Sequence, residues 1–141
     1  MHTVTLDTNI YISALEFGGT PLRLLRMAVD HIIEVAISQP IIDETRRVLR
    51  NKFGWSEEHL NEAEEWIRSF TRLVTPERRI DVIKEDPPDN RILECAATSG
   101  SAYIVSGDKD LLRVGQYGNA RVIKMADMLD EVEGPDWRSP A

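Results

Sequence analysis

Apolar positions recur along this chain in short β-prone runs separated by longer helical stripes, and that alternation sets the expected architecture. Thr3-Val4-Thr5-Leu6 is a β-prone run that ends at Asp7. Thr20-Pro21 reads as a helix cap followed by proline at the first helical position, and Leu22, Leu25, Met27, Ala28 and Val29 continue as a helical stripe. Val35-Ala36-Ile37 is a second strand. Ser38 and Pro40 open the next helix, with Ile41, Thr45, Val48 and Leu49 on one side. A further helix follows the cap Ser56, lined by Leu60, Ala63, Ile67 and Phe70, with Trp66 at the edge of the stripe. Arg72-Leu73-Val74 reads as a third strand. Asp86-Pro87-Pro88 stops the chain and starts a helix through Ile92, Leu93, Ala96 and Ala97 to Gly100, with Asp86 as the expected cap. Ala102 to Val105 and Arg121 to Ile123 are two more strands, and Met125 to Val132 is the last helix. Residues 1–133 are expected to form one domain, with 134–141 as a loose tail.

Strands that alternate with helices imply βαβ units, and hence an α/β fold with a parallel sheet of four to five strands. In such sheets ligands gather beyond the carboxyl ends of the strands. Asp7 stands there after the first strand, and Asp108 follows the strand ending at Val105, in Ser106-Gly107-Asp108-Lys109-Asp110. Two further acids come from helices. At 100° per residue, Asp89 falls between Ile92 and Leu93 on the buried face, while Asn90 points more outward. Glu44 lies on the border of its apolar stripe, whereas Asp43 faces solvent. A carboxylate turned toward a core is costly unless it is paired, hydrogen-bonded or bound to metal. Asp7 also suits the N-cap of the following helix, a role compatible with metal binding, and Asp108 also reads as a cap for Lys109 to Leu112.

Carboxylates that share a cavity raise one another's pKa values, and a cation relieves the repulsion. Mg²⁺ and Mn²⁺, hard cations with a preference for carboxylate and water oxygens, fit this donor set. The three histidines are scattered and Cys95 is the one cysteine, which argues against zinc and leaves no internal disulfide. The net charge of −7 argues against broad, non-specific duplex binding, but not against an enzyme whose acids hold metal. No window approaches a membrane span, and Met1 to Leu6 lack the pattern of a secretory signal, so a cytoplasmic protein with no membrane contact is expected. A receiver-type phosphoacceptor would need an aspartate at the end of a middle strand, where Ala36-Ile37-Ser38 stands instead. A phosphatase of the Asp-x-Asp type is disfavoured by Asn9.

Four motifs together resemble the PIN-domain family. Leu6-Asp7-Thr8-Asn9 with Ile10 to Leu15 is similar to its opening motif, and Glu44 occupies the place of its glutamate. Asp89-Asn90-Arg91-Ile92-Leu93-Glu94-Cys95-Ala96 matches its third acid, and Ser106-Gly107-Asp108-Lys109-Asp110-Leu111 its last motif, with Leu111 in place of the usual phenylalanine. The resemblance, spanning roughly residues 3 to 130 by eye, implies a three-layer α/β/α sandwich with strand order 3-2-1-4-5. It also implies a Mg²⁺- or Mn²⁺-dependent endoribonuclease that leaves 3′-hydroxyl and 5′-phosphate ends. Asp7, Glu44, Asp89 and Asp108 would be catalytic and would form the metal site, supported by Asn9, Ser106 and Asp110. The Asp-Asn form of the third motif looks closest to VapC-like toxins of toxin–antitoxin pairs, which implies an RNA substrate, a small antitoxin partner and often a homodimer. Arg46, Arg47 and Arg50 are candidate RNA contacts, although a solvated helix face is the better reading of them. The alternative is a catalytically inert PIN fold that binds RNA or a protein.

Overall fold

A computed structural model describes residues 1–84 and 87–134; the expected cap Asp86 and the tail beyond Gly134 lie outside the described residues. Strand β1 (Thr3–Leu6) is followed by α1 (Thr8–Phe17) and α2 (Gly19–Val29), then β2 (Glu34–Ser38), α3 (Gln39–Phe53), α4 (Glu57–Phe70) and β3 (Thr71–Val74). After a stretch without regular structure come α5 (Pro87–Ser99), β4 (Tyr103–Val105), α6 (Lys109–Val114), β5 (Gln116–Tyr117), β6 (Ala120–Ile123) and α7 (Met125–Glu133).

The sheet order is β3-β2-β1-β4-β6-β5. The five strands foreseen from the sequence are β1, β2, β3, β4 and β6, all parallel and in the order expected. The short β5 is additional: it pairs antiparallel with β6 across a tight turn at Gly118, whose φ of 59° favours glycine. Two residues carry no alternation that a pattern could detect, so β5 was invisible to periodicity. The right-handed crossover of parallel strands puts α1 to α4 over one face and α5 over the other. The packing agrees, since α1 lies against α2 and α3, and α5 lies on β1, β2 and β4.

The central strands β1 and β2 are covered on both faces, which is why Val4, Thr5, Leu6, Val35, Ala36 and Ile37 are all buried. The second helix begins earlier than Thr20-Pro21 predicts. Gly18 and Gly19 both take positive φ (74° and 64°), so the chain breaks sharply after Phe17 and α2 starts at once, with Pro21 inside its first turn. Cys95 is buried on α5, with the Thr5 hydroxyl 3.7 Å from its sulfur. Burial pushes its thiol up to about 11. Native protein at pH 8 is therefore expected to resist a thiol-specific reagent and to react fully once unfolded in urea; rapid labelling of the native state would contradict this burial.

Among the described residues, no helix is long and apolar enough to cross a membrane.

Candidate metal centre

Strand register builds the first half of the site. Leu6 pairs with Val105 across β1 and β4, so the residues that follow, Asp7 and Ser106, emerge side by side at the carboxyl edge. The Asp7 amide donates to the Val105 carbonyl at 2.9 Å, and the Ser106 amide to that of Ile123 at 3.0 Å, which extends the sheet by one rung at this point. The buried Ser106 hydroxyl donates to Asp7 Oδ2 at 2.6 Å and accepts from the Asp108 amide at 2.9 Å. One serine thus holds two acids that are a hundred positions apart in the sequence.

Both acids are also helix caps. Asp7 Oδ1 accepts from the Asn9 amide at 3.4 Å at the start of α1. Asp108 Oδ1 accepts from the amides of Asp110 and Leu111 at 2.8 and 3.1 Å at the start of α6. A carboxylate offers about four lone-pair positions, so these bonds leave acceptor capacity for a cation. Asn9 orients Asp7 through its backbone; its side chain is exposed.

The second half comes from α5. Asp89 lies in its first turn and is buried, as the helical wheel predicts. One oxygen from each of Asp89, Asp108 and Asp110 lies within 4.8 Å of the others. Side chains in a helix lean toward its N-terminus, so Asp110, in the first turn of α6, reaches back over its own cap Asp108. The sequence placed Asp110 only as a supporting residue; this lean is the signal that could have pointed to its closer place. Asp7 stands beside the three, joined through Ser106. Its carboxyl is held above the usual carboxylate range, chiefly by burial and further by the charge of Asp108, while Ser106 and the amides of Asn9 and Thr8 pull the other way.

Glu44 is placed differently. It is only partly buried, on the edge of the α3 stripe as expected, and both its oxygens are engaged by Arg47 at 2.6 and 3.0 Å. It lines a groove of about 240 Å³ with Thr8, Pro40, Arg79, Pro87, Pro88 and Arg91. Thr8 adjoins Asp7 and Pro88 adjoins Asp89, so this groove opens directly beside the acids. The other candidate cations are also occupied: Arg46 pairs with Glu57 and Glu64, and Arg50 with Glu57, which ties α3 to α4.

Asn90 corrects its expected outward orientation. It is buried, and its side-chain oxygen accepts from the amides of Val82 and Ile83 at 2.9 and 2.8 Å while its nitrogen donates to the Ile83 carbonyl at 2.7 Å. The wheel assigned that face to solvent because the segment covering it has no periodic pattern. Glu94, also buried, accepts from the Ile80 amide at 2.6 Å and pairs with Arg91 at 2.7 Å. Arg91 in turn donates to the Ile80 carbonyl at 2.8 Å. Asn90 and Glu94 thus pin residues 80–83 along α5, next to Asp89.

The donor set fits a hard divalent cation. It is all carboxylate, and oxygens within 4.8 Å of one another are bridged, after small side-chain rotations, by an ion with ligands at about 2.0–2.1 Å. Charge argues the same way, because close carboxylates, one of them forced upward by burial, are stabilised by a cation.

The PIN domain family matches residues 3–110. This chain belongs to the PIN domain family. Among solved structures, it is similar to a chain in "Crystal structure of VapBC2 from Rickettsia felis bound to a DNA fragment from their promoter", with a TM-score of 0.61 and 14% identity, over 86% of this chain and 98% of that one. At that identity the likeness is one of fold. No curated protein matches the sequence.

Proposed function

We propose that this chain is a Mg²⁺- or Mn²⁺-dependent endoribonuclease that acts in the cytoplasm as the toxin of a toxin–antitoxin pair. The observation that carries the nuclease reading is the convergence of Asp89, Asp108 and Asp110 within 4.8 Å, with Asp7 linked to Asp108 through Ser106. An inert scaffold has no use for so dense a set of carboxylates, two of them buried.

In this reading Asp7, Asp89 and Asp108 hold the cation, and Asp110 joins them. Glu44 adds an acid from the α3 side of the adjoining groove. A bound divalent cation supplies Lewis-acid stabilisation for charge building on a phosphodiester and makes water a better nucleophile. Ser106 fixes the rotamer of Asp7, so the acids need little reorganisation when the ion binds. The more exposed side of the cluster, at Asp108 and Asp110, admits the RNA strand, while Asp7 and Asp89 are buried.

The toxin assignment is supported by the family and by a neighbour whose structure is titled as VapBC2 with promoter DNA. The partner in that reading is a small antitoxin, and a homodimer is compatible with it. Purified protein is expected to bind Mn²⁺ in calorimetry and to cut single-stranded RNA with Mg²⁺ or Mn²⁺, leaving 5′-phosphate ends, and to stop on addition of EDTA. Absence of divalent-ion affinity, or cleavage indifferent to EDTA, would remove the metal mechanism. Induced expression is expected to arrest growth of a bacterial host; unimpeded growth alongside active nuclease would remove only the toxin role.

A further inference from the structure

The groove beside the acids has a feature that metal binding does not use. Among the described residues, its charged lining ones are Glu44, Arg79 and Arg91. Arg47 neutralises Glu44, and Glu94 neutralises Arg91. Arg79 is the remaining charge: it is exposed and makes no ion pair or hydrogen bond among the described residues. The positive charge of this groove is therefore that of Arg79.

Its position is built rather than incidental. The next residue, Ile80, is gripped on both sides of its peptide unit, by Glu94 at its amide and by Arg91 at its carbonyl. Val82 and Ile83 are held by Asn90. These anchors belong to the same helix that carries Asp89. The backbone at Arg79 thus lies one residue from a point fixed on the helix that supplies an acid of the proposed metal site. The groove is also lined by Thr8, Pro40, Pro87 and Pro88 from the first turns of α1, α3 and α5, whose helix dipoles favour negative charge.

We propose that this groove is the track for the RNA backbone next to the cleaved bond, with Arg79 contacting a phosphate adjacent to the one at the acids. This inference rests on the nuclease reading above. Arg79 is a substrate-positioning residue: the acids bind cation and repel the strand, and a neighbouring cation offsets that repulsion for a single strand lying along the groove. Guanidinium suits the role because it forms paired hydrogen bonds to phosphate oxygens. The acidic chain as a whole gives no broad phosphate-binding surface, so one well-placed arginine carries a large share of strand affinity.

The test uses the full chain and a fluorescently labelled single-stranded RNA oligonucleotide. Binding is followed by anisotropy with Ca²⁺, and cleavage is followed with Mn²⁺. Arg79→Gln is compared with Arg78→Gln, an exposed neighbour that lines a different groove, with Thr75, Ile80 and Tyr117. For Arg79→Gln, KM is expected to rise on the order of tenfold, the effect of one charge-assisted contact, with kcat far less affected. The slope of log affinity against log salt is expected to fall by about 0.7, the value of one phosphate contact on a single strand. Mn²⁺ affinity measured by calorimetry is expected to be unchanged. Equal behaviour of the two variants, or an unchanged salt slope in Arg79→Gln, would overturn the assignment while leaving the metal site standing. Loss of Mn²⁺ binding in Arg79→Gln would also overturn it, because the residue would then act through the acids. Wild-type protein that binds Mn²⁺ but shows no salt-dependent affinity for the RNA would sink the track itself.

Discussion

Replacing Asp89 or Asp108 by asparagine is expected to abolish metal-dependent RNA cleavage, with single-turnover rates falling about a thousandfold. The magnitude follows from the several kcal/mol that a correctly held cation contributes to a phosphoryl transition state, at 1.36 kcal/mol per tenfold. Asparagine keeps the volume and one acceptor oxygen, so Asp108→Asn still caps α6 through the bonds now made to Asp110 and Leu111. Circular dichroism is expected to show unchanged helix content, which separates chemistry from folding. Ser106→Ala should lie between these variants and the wild type. Its hydroxyl only orients Asp7 and the Asp108 amide, and loss of such a supporting contact typically costs about 10–100-fold. The ordering matters as much as the size: Ser106→Ala as inactive as Asp89→Asn would place the hydroxyl among the reacting groups. Full activity in both aspartate variants would end the proposed mechanism.

Asn90→Ala is expected to destabilise the protein by about 2–4 kcal/mol. Three hydrogen bonds to residues 82 and 83 are lost at once. Ile83 is buried, so its amide and carbonyl are left without partners where water has poor access. Urea titration would read the loss as a lower midpoint with little change in slope. A local consequence should accompany the global one, namely faster proteolysis within residues 75–84, since Asn90 is one of three α5 residues, with Arg91 and Glu94, that fasten that segment. Wild-type stability in Asn90→Ala would mean that the segment is held by its apolar contacts, Ile80 and Ile83, rather than by the asparagine.

These two predictions concern neighbouring residues that the linear pattern treated very differently. Asp89 was readable because a helix repeats every 3.6 residues, so its position relative to Ile92 and Leu93 fixes its face whatever surrounds it. Asp7 and Asp108 were readable because strand ends mark the ligand edge of a parallel sheet. Asn90 was misjudged by the same reasoning: a helical wheel reports angle, and whether an angle is covered depends on what packs there. Residues 75–84 have no regular structure and no repeat, so their path over α5 left no trace in the pattern. Glu44 shows a different kind of gap. Its place at the border of the α3 stripe was foreseen, but the choice between the acid cluster and Arg47 is decided by competing partners within reach, and the arginine three residues along is the nearest. The arginines of α3 follow the same logic, since Glu57 and Glu64 of α4 lie opposite them only because the two helices pack.

The chain's own order of residues determined the α/β alternation and the arrival of acids at one edge, since each depends on local periodicity or on which residue ends a strand; the strand order was implied only by the resemblance to the PIN-domain family. Tertiary structure alone decided that Ser106 couples Asp7 to Asp108, that Asp110 completes the trio with Asp89, and that the chain following Arg79 is fastened to the helix of Asp89. The reason is one of range. Those contacts are made in space between residues whose separation along the chain carries no period, so they come into being only when the sheet register and the cover over α5 are set.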